Sequence, residues 1–133
     1  MKNQFHRIAA AVALFACIAA RAEIVVIVNP AAGPLTQDQV TDIYLGRSNL
    51  MTPIDQVDAN PIKAEFYKKT TGRDLSQVKA AWSRIVFTGK GMAPHEAADA
   101  AAVKKAVASD VKAVGYIDRS ALDGTVKVAL TIN

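Results

Sequence analysis

Three short stretches hold residue types that could grip a ligand. Asn60, followed by Pro61, Ile62 and Lys63, reads as a helix start, where free backbone amides and a nearby ammonium can hold an anion. An ordinary cap beside a solvated lysine is the plainer alternative. Asn29 and Ala31 lie in a "NPAAG" turn behind a strongly apolar strand, the place where open α/β sheets bind ligands. A simple turn accounts for them equally well. Lys90 stands between Gly89 and Gly91, a loop able to approach phosphate, although the spacing of a P-loop is missing. A helix-ending turn with a solvated lysine also explains it.

Other chemistry finds less support. His95 beside Glu96 is a single histidine and one carboxylate on consecutive positions, which does not build a metal cage. Serines 48, 76, 83, 109 and 120 lie in no nucleophile-elbow context, and no carboxylate pair is marked out by its surroundings. The expectation is a protein that is not an enzyme and uses neither metal nor cofactor.

The elements that must position these residues follow from periodicity and punctuation. Ile24 to Val28 is an unbroken β-branched run, the pattern of a strand covered on both faces. Thr36 and Gln39 form a capping box for a helix that Gly46 stops, with Val40, Ile43 and Tyr44 inward. "TPIDQVD" alternates as a short strand, and Asn60-Pro61 opens a helix ending at Gly72 with Ile62, Phe66 and Tyr67 inward. Asp74 with Gln77 caps a third helix, whose stripe Val78, Ala81, Trp82, Ile85 and Val86 predicts a core-facing side anchored by the tryptophan. An alanine-rich helix runs to about Asp110. Two strands close the chain, "KAVGYID" and "VKVALTI", around the turn signal Asp123-Gly124. This alternation predicts a three-layer α/β/α domain on a mixed, mostly parallel sheet of four to five strands, with the last strand antiparallel or at an edge.

Residues 1–22 read differently. Lys2 and Arg7 flank a polar start, residues 8–20 are an apolar run, and Ala20-Arg21-Ala22 places small residues at the cleavage positions of a secretory signal. The run is too short for a membrane span, which needs about 20 residues. The expectation is therefore an exported protein cut after Ala22, periplasmic or secreted, with residues 23–133 as one domain. The alternative is a lipoprotein acylated at Cys17, since residues 14–17 resemble a lipoprotein box. Removing Lys2, Arg7 and Arg21 from 16 basic residues leaves 13 against 12 acids, too near neutral for nucleic-acid binding.

Together, "IVVIVNP", "LTQDQVTDIYLGRS", "AEFYKKTTGRDLSQVKAAWSRIVFTGKG" and "AVASDVKAVGYID" resemble the small periplasmic substrate-binding-protein-like domains associated with phosphate ABC transporters. The resemblance implies a single lobe of a type II periplasmic-binding-protein-like fold. It also implies a solute-binding role linked to phosphate or oxyanion uptake, with a small inorganic anion and an ABC permease as partners. The chain departs from the family where a Ser-Gly-Thr-like turn commonly precedes the second helix. It has "DANPIKAEF", which lacks those hydroxyls, loses one amide donor at Pro61 and adds Asp58, a charge that repels phosphate. The rival expectation is therefore an interaction or accessory module, a lobe that has lost its anion and meets a partner or a second copy of itself; exposed apolar surface would favour it.

Overall fold

A computed structural model describes residues 23–133. The expected leader and Cys17 lie outside the described residues. Within them β1 (Ile24–Val28), α1 (Gln37–Tyr44), β2 (Thr52–Gln56), α2 (Pro61–Thr71), α3 (Leu75–Phe87), β3 (His95–Ala97), α4 (Ala100–Ala108), β4 (Ala113–Asp118) and β5 (Lys127–Ile132) follow one another. The strands form one sheet in the order β3-β2-β4-β1-β5. β2 runs parallel to β3 and β4, while β1 is antiparallel to both β4 and β5. Four of the five strands thus share a direction and β1 opposes them. The last strand lies at an edge, antiparallel to its neighbour, as its position in the sequence suggested.

Burial explains why β1 is apolar throughout. Ile24, Val26 and Val28 join a core with Val40, Ile43 and Tyr44 of α1 and Phe66 and Tyr67 of α2. Val25 and Ile27 point the other way, into a core with Val103 and Val107 of α4. The sheet is therefore covered on both faces, which makes the expected three layers. On the α4 face the approach is close: a Cβ added to Gly115 would sit 2.4 Å from Val103 Cγ1, so β4 needs glycine there.

Local signals act as read in most places. The capping boxes Thr36/Gln39 and Asp74/Gln77 are both formed. Gly72 ends α2 in the left-handed conformation at φ 74°. One element lies outside the expected set and one expectation needs correction. Residues 95–97 form a short strand although "HEA" has no β-forming character; parallel pairing with β2 at Ile54, Asp55 and Gln56 supplies it. And of the stripe on α3 only Val78 is buried; Trp82 is partly so, and Val86 is 49% exposed. The helix packs against α2 at the margin of the domain; the turn at Gly46 lies against Trp82 and Ile85, and Val86 and Phe87 at its end stay exposed.

Candidate functional site

The ends of β2 and β3 gather an unusual set of charges. Asp55, on the α2 side of β2, is 4% exposed. It accepts hydrogen bonds from the hydroxyls of Tyr67 on α2, at 2.6 Å, and of Tyr116 on β4. Lys63, also 4% exposed, stands 3.8 Å from the Asp55 carboxylate. Its ammonium donates to Asp58 Oδ1 at 2.8 Å and to Glu96 Oε1 at 3.0 Å. Lys79 of α3, more than half exposed, completes the group by pairing with Asp58. Sequence supplies the logic for each placement. Two tyrosines carried inward by apolar periodicity bring hydroxyls that require acceptors, and a carboxylate in a strand interior provides them.

The electrostatics follow from this packing. Burial, then the Asp55 charge, pushes the Tyr67 and Tyr116 hydroxyls far above the ordinary tyrosine range, so both remain protonated donors. Burial acts to lower the Lys63 pKa, but the Asp58 hydrogen bond and the Asp55 and Glu96 charges outweigh it and the net shift is upward. The Lys63 and Lys79 hydrogen bonds hold Asp58 down at about 2. At neutral pH Lys63 is therefore a fixed cation already surrounded by three carboxylates.

A pit of about 80 Å³ opens beside this cluster, lined by Asp55, Lys63, Tyr67, Lys79, Trp82 and Glu96 among others. That is room for a few water molecules. An open groove of about 530 Å³ adjoins it along α3, walled by Lys79, Trp82, Ser83, Val86, Phe87 and Ala93. Trp82, Lys79 and Ala93 line both. The indole Nε1 of Trp82 donates to the Tyr44 carbonyl at 2.8 Å, which fixes the ring as the partition between them. The groove is apolar and uncovered: Phe87 is 93% and Met92 87% exposed.

The six residues singled out from sequence do not form one site. The register pairs Val28 with Val114 and Thr52 with Ala113, so Asn29 lies at the edge where β2 and β4 begin. Asn60 and Lys63 lie at the opposite edge, beyond the end of β2. The Asn29 side-chain amide donates to the Ala108 and Val107 carbonyls, tying down the end of α4. Its oxygen accepts from the Ala31 amide at 3.0 Å, so that amide is already engaged. Asn60 stands at the N-cap position of α2 but does not cap it; its side chain donates to Gln56 and to the Ala98 carbonyl. The Lys63 amide is used by the Asn60 carbonyl, and Ile62 packs at the margin of the core. Lys90 is exposed in the turn after α3. Of the six, only Lys63 lines either concavity.

Asp55, Glu96, Tyr67 and Tyr116 belong to the site although nothing in the sequence alone groups all four of them. The signal was there in part. Two tyrosines at inward positions predict buried hydroxyls, and Asp55 is the acid within the strand that could receive them.

Among the described residues no helix is long and apolar enough to cross a membrane, and no group of three or more His, Cys, Asp or Glu is placed to hold a metal ion. The α/β fold is shared with solved phosphate-transport receptors, over a little under half of each of those chains. The similar solved structures include an ABC-type phosphate transport receptor from Vibrio cholerae, with a TM-score of 0.63, 17% identity, 80% of this chain covered and 45% of that one. They also include a putative phosphate ABC transporter substrate-binding protein with bound phosphate from Clostridium perfringens, with a TM-score of 0.65, 18% identity, and coverage of 81% and 44%. The chain thus spans less than half the length of either. No protein-family model and no curated protein matches it.

Proposed function

We propose that this chain is an exported, non-catalytic module of the binding-protein fold that works by meeting a partner surface along α3 and the neighbouring strand ends, not by capturing phosphate alone. One observation carries this reading: Lys63, the buried cation at those strand ends, is already neutralised by Asp55, Asp58 and Glu96. A phosphate entering the pit would meet the Asp55 and Glu96 carboxylates beside the Lys63 and Lys79 ammonium groups, with the Lys63 amide already spent on the Asn60 carbonyl. Anion capture relies on unengaged donors and enclosure. The open apolar groove offers what a partner surface uses instead.

A second reading keeps phosphate or a similar oxyanion as ligand, in association with an ABC permease. The likeness to a protein whose structure holds bound phosphate favours it. Thermal unfolding with millimolar phosphate, sulfate and molybdate separates the two. A ligand at a hundred times its Kd stabilises the folded state by about 2.7 kcal/mol. The partner reading expects no rise with any of the three anions. A saturable rise with one of them, lost in Lys63→Met, overturns it in favour of the oxyanion.

A further inference from the structure

We infer that the groove along α3 is filled by α3 of a second copy of this chain, packed antiparallel in a two-fold dimer. This inference rests on the partner reading above and names the partner. The groove residues Lys79, Trp82, Ser83 and Val86 stand at i, i+3, i+4 and i+7, which is one face of a helix and the pattern by which helices pack on each other. Ser83, small and exposed, sits at the middle of that face, where two helices must approach most closely.

The same segment carries both halves of the contact. One half is the groove beside Trp82; the other is the protruding Phe87, with Val86 and Met92. Lys79 and Phe87 are eight residues apart, about 12 Å along the axis. Antiparallel packing about Ser83 therefore brings Phe87 of one copy to the Lys79 end of the other. That end holds Asp58 and Glu96, each with roughly half of its side chain exposed. With Asp55 they make three acids against the two bases Lys63 and Lys79, and Lys90, just beyond Phe87 and forming no ion pair with any described residue, arrives opposite this excess of one negative charge. Two-fold symmetry repeats the match, so plug and socket engage twice.

Magnitude sets the expected strength. Val86, Phe87 and Met92 present roughly 400 Å² of apolar surface per copy, on a scale of about 150–250 Å² for one aromatic side chain. Standard interfaces bury about 800 Å² per partner, so the dimer is a weak one.

Sedimentation equilibrium from micromolar to millimolar chain tests this. The expected result is a reversible monomer–dimer equilibrium, weakened at least about tenfold by Phe87→Ser and also weakened by Lys90→Glu. Both side chains are exposed, so both variants should keep the thermal midpoint of the parent. Geometry is tested separately with a single introduced thiol. Residues 23–133 contain no cysteine, so Ser83→Cys should give a disulfide-linked dimer under mild oxidation, and Ser109→Cys, at the end of α4, should not. A strict monomer at every concentration overturns the second copy as partner while leaving a foreign partner for the broader reading. A dimer indifferent to Phe87→Ser, or one that crosslinks equally through position 109, overturns the α3 interface. An anion-dependent thermal shift instead sinks the broader reading.

Discussion

α3 and α4 invite comparison because their sequences promise the same thing and their surroundings deliver different ones. Both carry an apolar stripe at helical spacing and both start at an aspartate that caps the first turn. α4, of nine residues, lays Val103 and Val107 onto the sheet over Gly115 and seals one face of the domain. α3, of thirteen, is longer and contains the only tryptophan, yet it buries only Val78 and leaves Val86 and Phe87 in solvent. Periodicity says that a stripe exists. What covers it depends on whether the fold has an element left to place there, and beyond α3 the described residues have none.

The largest expected effect sharpens the comparison at the charge cluster that α2 and α3 share. Asp58 is held by two lysines, one from each helix. Lys63→Met strips the buried cation from Asp55 and should lower stability by about 3–5 kcal/mol in chemical denaturation, since the cost lies in the carboxylate left behind. Lys79→Met removes a solvent-facing partner, and pairs of that kind contribute about 0.2–1 kcal/mol or nothing measurable. Equal losses would mean that contact, not burial, decides. Next in size is Gly115→Ala. The new methyl falls inside Val103, and overpacking of this sort costs roughly 1–3 kcal/mol unless α4 moves outward. Of similar size, Val103→Ala on α4 should cost about 2 kcal/mol, whereas Val86→Ala on α3 should stay within about 0.5 kcal/mol in the monomer. A Val86→Ala loss equal to that of Val103→Ala in dilute solution would show α3 to be packed like α4 and break the contrast.

The fold was legible because its signals are local and redundant. The β-branched run of β1, two capping boxes and the left-handed glycine after α2 each fix an element from a few neighbouring residues. The site was less legible for a physical reason. Asp55 is separated from Tyr67 by 12 residues and from Tyr116 by 61, and nothing local reports that three side chains will share one buried space. Lys63 stands out in the sequence by its place at a helix start, which finds the residue but not its three carboxylate partners. Asn29 stands out by following a central strand. That rule assumes the strand runs with its neighbours, and β1 is the one strand that opposes them, so its end falls at the other edge. Strand direction is a property of the whole sheet, which a five-residue apolar run does not encode.

Acid offers the finest test of how α3 is tied down, and its sign follows from Asp58. An ordinary aspartate titrates near about 3.9, and the two lysine hydrogen bonds hold Asp58 at about 2. The unfolded chain therefore takes up a proton on this group before the folded one does. The stabilisation is fully present above about pH 4 and drains away as pH falls toward about 2. Lys63 works in the opposite sense: raised above the ordinary lysine range, its contribution is present through neutral pH and is lost only as pH climbs past its folded value. Asp58→Asn should thus flatten the fall of the thermal midpoint between about pH 4 and pH 2, and should leave its behaviour above pH 5 unbent. Amide exchange gives the local version: in the parent chain at low pH, opening should rise in the first turns of α3, where Lys79 sits, before it rises at Val103 and Val107 of α4, whose sheet contacts are apolar and whose ion pair, Lys104 with Asp123, holds an aspartate lowered further than Asp58. If acid loosens both helices at the same pH and Asp58→Asn changes neither, the tie through Asp58 does not hold α3, and its anchorage rests on Val78 and Trp82 alone.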